Sequence, residues 1–230
     1  TTAAQWNGCA GDGDIRTTAA DGDYVFLDDT ACGRAALNVA SFQAEDGAFD
    51  SDGLAHAARL MTIALDITTM MTAQPTPRLA ARTWEYRPLG LGFTNLGTLL
   101  MVSGIGYDSD AGRAMCAAIA ALITGTAYAT SSEMAGELGY FPAYQRNRDG
   151  MARIIRNHWT AVQGREDGYD DLTWKPMPLS AEACPDGRLL EAARRIWNRL
   201  PFSVAETGLR NAQVTLVTAA EDVGVLLDGG

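Results

Sequence analysis

Between residues 51 and 68, Leu54, Ala57, Ala58, Leu60, Met61, Ala64, Leu65 and Thr68 recur at three- and four-residue steps, the spacing that gathers one face of an α-helix. A face that apolar has to be covered, so the chain must fold around a helix that stops near Pro75. A second run follows Asp108 and Ser109, either of which can cap it. Ala114, Ala117, Ala118, Ala121, Leu122 and Ala129 give it a small-residue face through about Leu138. Residues 90–103 set Gly92 and Gly97 beside Phe93, Leu96, Leu99 and Leu100, which predicts a buried helix packed against the one at 108–138. Further helices are predicted over 149–158, after the stop at Gly139-Tyr-Phe-Pro142, and over 189–200, ended by Pro201. Residues 164–185 read as a proline-broken connection, and 1–23 as loop. Short strands are predicted at 24–27, 213–217 and 223–227. The expected architecture is one domain over residues 1–230, mainly α with a few short strands (α+β), opening with a loop-rich N-terminal segment.

The charge balance excludes several function classes. With 28 acidic against 18 basic residues, the net charge of −10 repels phosphate backbones and anionic lipid, so neither nucleic acid nor a membrane surface is an expected partner. No apolar run reads as approaching the roughly 18 to 20 residues of a membrane span, and no basic start precedes an apolar segment, so a cytoplasmic location is expected. Cys9, Cys32, Cys116 and Cys184 show no C-x-x-C pairing and read as reduced thiols rather than a disulfide framework or a structural metal site. His56 and His158 are too few for a histidine metal site. Asp12-Gly-Asp14, Asp21-Gly-Asp23 and Asp28-Asp29 concentrate carboxylates that suit a hard cation, but the spacing completes no EF-hand loop and a solvated turn is the simpler reading. Asp21 and Asp23 as an acid–base pair would lack a defined substrate. Gly90-x-Gly92 has neither the third glycine nor the preceding predicted strand of a dinucleotide loop, and reads as packing.

Two stretches, Arg87-Pro-Leu-Gly-Leu-Gly-Phe-Thr-Asn-Leu-Gly-Thr-Leu-Leu-Met101 and Glu206-Thr-Gly-Leu-Arg-Asn-Ala-Gln-Val-Thr-Leu216, together with Trp6-Asn-Gly-Cys9 and Tyr24-Val-Phe-Leu-Asp-Asp-Thr-Ala-Cys32, resemble the catalytic subunit of adenosylcobalamin-dependent (class II) ribonucleotide reductases. The resemblance runs almost end to end. It implies a portion of the reductase α/β barrel with its flanking helices. Adenosylcobalamin enters only through the resemblance, and no cofactor is expected in this chain itself.

In that family a loop reading N-P-C-x-E precedes the L-D-D-T-A-C segment, and its cysteine forms the thiyl radical, its glutamate handles a proton and its asparagine holds substrate. Counting back from Tyr24, those three positions fall on Ala19, Asp21 and Asp23. A carboxylate has no weak S–H bond to give up, so Asp21 cannot do what the family's cysteine does. Asn7-Gly8-Cys9 imitates the triplet, but Gly11 stands where the glutamate would be and the spacing to Tyr24 is wrong. Cys32 matches one of the two cysteines that reduce the substrate in the family, without its usual partner. As a lone cysteine it reads more simply as a small buried hydrophobe.

After the strand the family carries P-T-G-T, which cradles the substrate diphosphate; here Ala219, Ala220, Glu221 and Asp222 stand there. A carboxylate about 4 Å from a phosphate costs roughly 1 to 4 kcal/mol. The simpler reading of Glu221 and Asp222 is a helix N-terminus with favourable acids. Arg210 and Asn211 read as maintaining the fold. The resemblance thus implies a reductase-like domain without radical chemistry, serving binding or assembly. The alternative is a component of a split B12-dependent reductase completed by another chain. Barrel strands left unpaired imply a homo-oligomer or a partner chain covering their edges.

Overall fold

A computed structural model describes residues 2–20 and 22–217. After the short helix α1 (Thr2–Gln5) and a single 3-10 turn (Ala10–Asp12), the chain reaches β1 (Gly33–Asn38), then runs through α2 (Ser51–Met71) and α3 (Pro77–Tyr86) to β2 (Leu89–Thr94). Four helices follow: α4 (Leu96–Val102), α5 (Asp110–Leu138), α6 (Tyr144–Val162) and α7 (Gly187–Thr207). β1 and β2 pair in parallel, Gly33 opposite Leu89 through Asn38 opposite Thr94. Residues 213–216 lie along the other side of β2: Leu89 N–H donates to Gln213 O (2.8 Å), Leu91 N–H to Val214 O (3.0 Å) and Leu216 N–H to Leu91 O (3.1 Å). Helical crossovers between parallel strands are what an α/β barrel is built from, although these strands do not close one.

The helix starts are written in the sequence. Asp50 accepts from Gly53 N–H, Thr76 from Leu79 N–H with Pro77 at the first helical position, Ser109 from Gly112 N–H, and Asp186 from Arg188 and Leu189 N–H. α2 buries Leu54, Ala58 and Leu65 of the face its periodicity predicted, together with Thr62, while Leu60, Ala64 and Thr68 of that face are exposed. α5 packs mainly on α7 and α2 rather than on α4. Its Gly125 is the point of closest approach: a Cβ there would sit 2.6 Å from Trp197 Nε1, whose N–H donates to Ala121 O at 2.8 Å.

Several expectations are corrected. Residues 24–27 form no strand; Phe26 and Leu27 enter the core as coil, because Tyr24 hydroxyl bonds Thr30 (2.7 Å) and the chain turns at Asp29, φ 61°. Residues 90–94 are strand rather than helix. A Cβ on Gly90 would lie 2.5 Å from Leu216 Cδ2 and 3.1 Å from Gly33 O, so the glycine serves strand approach, and helix begins only after Asn95. The 149–158 helix starts earlier, at Tyr144, and buries Tyr144, Asn147 and Met151. α7 continues through Pro201, since Leu200 and Val204 on either side of it are both buried and hold the helix despite the lost N–H. A helix unannounced by apolar period, α3, precedes β2. α5 is long and apolar enough to cross a membrane by length and composition (mean hydropathy 1.4), against the expectation that no run approached that size; 67% of that window is buried inside the protein, as in a core helix. The strand predicted at 223–227 lies outside the described residues.

One polar cluster crosses the core. Arg87 adopts a left-handed backbone, φ 47°, costly for a side chain other than glycine. Its guanidinium grips Asp66 of α2 twice, Nε to Oδ1 at 3.1 Å and Nη2 to Oδ2 at 2.7 Å. Asn211 Nδ2 donates to Asp66 Oδ1 (2.8 Å) and Arg87 O (2.9 Å), and Asn211 N–H donates to Ser131 Oγ of α5. Arg210 donates to Leu138 and Gly139 carbonyls at the end of α5. Arg210 and Asn211 therefore do hold the fold together.

Two stability predictions follow from this packing. Asp66→Ala leaves Arg87 buried without its counter-charge and should lower unfolding free energy by about 3 to 5 kcal/mol in urea titrations. Gly125→Ala, which forces Trp197 to move, should cost about 1 to 3 kcal/mol by the same measurement.

Candidate functional site

The loop that precedes β1 is closed by two backbone bonds, Ala19 N–H to Tyr24 O (3.1 Å) and Gly22 N–H to Ala19 O (2.9 Å). Ala19 lies in this tight turn; Asp21 lies outside the described residues. Asp23 is turned inward, its side chain 2% exposed, with Oδ1 accepting from Tyr24 N–H and Oδ2 3.0 Å from Arg34 Nη1. That contact is an ion pair rather than an aligned hydrogen bond. Arg34 therefore engages Asp23, a partnership nothing in the sequence spacing announced.

Cys32, just before β1, is half-buried beside Arg34 in a polar depression of about 290 Å³ shared with Thr17, Asp28 and Thr30. Burial pushes its thiol up to about 11, Arg34 pulling the other way, so it is protonated and a poor nucleophile at neutral pH. Cys9 sits in the core at 0% exposure, Sγ 4.0 Å from Met151 Sδ, and burial pushes its thiol up to about 12. It has no route to a substrate as a replacement for the radical thiol. All four cysteines are free.

Three further aspartates of the acidic turns, Asp12, Asp28 and Asp29, are engaged. Asp12 Oδ2 accepts from Tyr86 hydroxyl (2.7 Å), Arg146 Nε (2.8 Å) and Asn147 Nδ2 (2.6 Å). Burial works against its charge, but these donors outweigh it and hold the carboxyl below the usual range. Asp28 pairs with Arg16 at 3.3 Å and Asp29 with Arg78 at 2.6 Å. Among the described residues no group of three or more histidine, cysteine or acidic side chains is placed to hold a metal ion. The positions matching the phosphate loop, Ala219, Ala220, Glu221 and Asp222, lie outside the described residues.

Asp23 also borders a cavity of about 370 Å³ between the loop, residues 212–217 and helices α5 and α6. His158 lines it with its ring among aromatic neighbours, centroids 4.7 Å from Trp6, 6.5 Å from Tyr128 and 5.4 Å from Trp197. Burial drives the His158 imidazole down to about 4, so it is neutral at pH 7.

Residues 2–227 match the family described as ribonucleotide reductase, barrel domain. The chain belongs to that family. Among its relatives are vitamin B12-dependent ribonucleotide reductases of Agrobacterium fabrum (43% identical), Bradyrhizobium diazoefficiens (41%) and Rhodopirellula baltica (35%), each aligned over 99% of this chain. The chain spans about a fifth of their length, 18%, 18% and 20% respectively. Parallel strands joined by helices are thus a portion of the reductase barrel.

The two histidines are placed apart. His158 is enclosed by aromatic rings and His56 stands exposed on α2, so neither offers an axial ligand inside a cleft.

The buried imidazole sets a pH dependence for the barrel domain. His158 is neutral in the folded chain and ordinarily titrates near 6.5, so the unfolded chain takes up the extra proton first. Stability should therefore fall as pH drops from about 6.5 and level off near 4, by on the order of 3 kcal/mol. His158→Phe should flatten that part of the profile relative to the parent in denaturation midpoints measured across pH 3.5–7.5, a window of about four units around the two values.

Proposed function

We propose that this chain is a reductase-barrel relative that has lost radical reduction and serves a binding or assembly role. The observation that carries the reading is Asp21 at the position of the family's radical cysteine, since no folding of this chain supplies an abstractable hydrogen there. Three further features support it. Asp23 is engaged by Arg34 at 3.0 Å, Cys32 is held as a thiol, and Glu221 and Asp222 replace the donors of the phosphate loop. Assembly is favoured by the edge of β1, which pairs only with β2 among the described residues and so offers a row of backbone groups to a second copy or another chain.

A second reading draws on the 43% identity over 99% of the chain: a component of a B12-dependent reductase whose radical thiol comes from elsewhere. One experiment separates them. With adenosylcobalamin, a dithiol and nucleoside di- and triphosphates, the chain should yield no deoxynucleotide above background, and light scattering should give a mass above that of one 24.5 kDa chain. Deoxynucleotide formation sinks the first reading, and a strict monomer removes its assembly role.

A further inference from the structure

We propose that the solvent-facing side of α2 is the surface on which two copies of this chain meet, the two α2 helices packing antiparallel across a two-fold axis near Ala64. The inference rests on the assembly role proposed above and assigns that role to a surface other than the edge of β1.

α2 is apolar on two opposite faces. Leu54, Ala58 and Leu65 are buried against the rest of the domain, while Leu60 (52% exposed), Ala64, Ile67 (53%) and Met71 (79%) face solvent. Half-buried Met61, Ile63 and Met70 widen the outer face on both sides. From Leu60 to Met71 the one charged residue is Asp66, and it is turned inward onto Arg87. A surface helix ordinarily sets charged and polar residues on its outer side, and a helix apolar all round is one that is covered on both. Isolated exposed apolar side chains need no explanation, but a continuous row without a charge over about three turns marks a contact surface.

The spacing selects a helix as the covering element. Leu60, Ala64, Ile67 and Met71 follow one another at steps of four, three and four residues, the seam that packs helix on helix. Two observations select a second copy of α2. Leu60 lies four residues before Ala64 and Ile67 three after it, so the row reads large, small, large in either direction, and its small centre lets two helix axes approach. A row that matches itself when reversed is what a two-fold contact requires, since each copy presents the same patch. The chain also carries a net charge of −10, so two copies repel wherever acidic surface meets, and the outer side of α2 from Leu60 to Met71 brings no acidic group to the contact. In the antiparallel pairing Leu60 of one copy faces Ile67 of the second.

Sedimentation equilibrium on the whole chain over about 1 to 200 µM should show a concentration-dependent dimer, since a seam of about three turns is a small interface. Leu60→Lys and Ile67→Glu, both at exposed positions, should each raise the dimer dissociation constant at least about tenfold by placing an unpaired charge in the contact, with circular dichroism confirming that the variants are folded. Mixed in equal amounts, the two variants should associate at least about threefold more tightly than either alone, because the antiparallel register sets the two introduced charges, opposite in sign, against each other. A dimer that survives both folded variants, or a mixture no tighter than its components, overturns α2 as the surface while leaving the assembly role standing. A parent chain that stays monomeric across the whole range removes that role and this surface together.

Discussion

The Asp66–Arg87 pair is the constraint from which most of this structure follows. It joins α2 to the turn between α3 and β2, and it does so in the core, where an unpaired charge would be expensive. Because the guanidinium is gripped at two oxygens, Arg87 can be held at φ 47°, and this left-handed residue ends α3 and redirects the chain into β2. Asn211 then ties the same carboxylate to the segment that lies along β2 and to Ser131 of α5. Ala212 N–H donating to Tyr86 O (3.0 Å) fixes the register of residues 213–216 against β2. A bidentate pair suits this task better than apolar packing, because its directionality discriminates between neighbouring registers that hydrophobic contact would tolerate.

A second polar centre anchors the N-terminal segment, which has little regular structure of its own. Asp12 reaches Tyr86, Arg146 and Asn147, so one carboxylate fastens the coil to α3 and α6 at once. Arg146 also bonds Glu85, and Arg82 stacks 4.8 Å over the Tyr86 ring. The loop at Ala19 to Tyr24 hangs between this clasp and β1. Its two ends are thus held by contacts outside the loop, at Asp12 on one side and along β1 on the other.

The longer helices were legible because period and burial largely agree and, for α5, Ser109 caps as its residue type allows, whereas α3, capped by Thr76, had no apolar period to announce it. The strands were not. Leu89-Gly-Leu-Gly-Phe-Thr94 alternates large and small residues in a way that suits either a tight helix or a central strand, and only contacts with Gly33 and Leu216, distant in sequence, decide it. Pro201 misled in the opposite sense, as tertiary burial of Leu200 and Val204 overrode a local breaker. At the candidate site, residue identities such as Asp23 and Cys32 were readable through the family resemblance. The Arg34 ion pair and the aromatic setting of His158 were not, because both join side chains from segments whose separation carries no periodic signal.

The core stands independently of the loop before β1 for a physical reason. The fold rests on helix packing and on two polar clusters, Asp66–Arg87–Asn211 and Asp12–Tyr86–Arg146, none of whose members lies between residues 19 and 23. A substitution in that loop therefore asks little of those clusters. Turning Asp23 inward is harder, since a buried carboxylate needs a compensating charge, and Arg34 provides it from β1. Asp23 thereby becomes part of the internal charge balance, and the same ion pair that offsets its burial ties the loop before β1 to the strand that follows it.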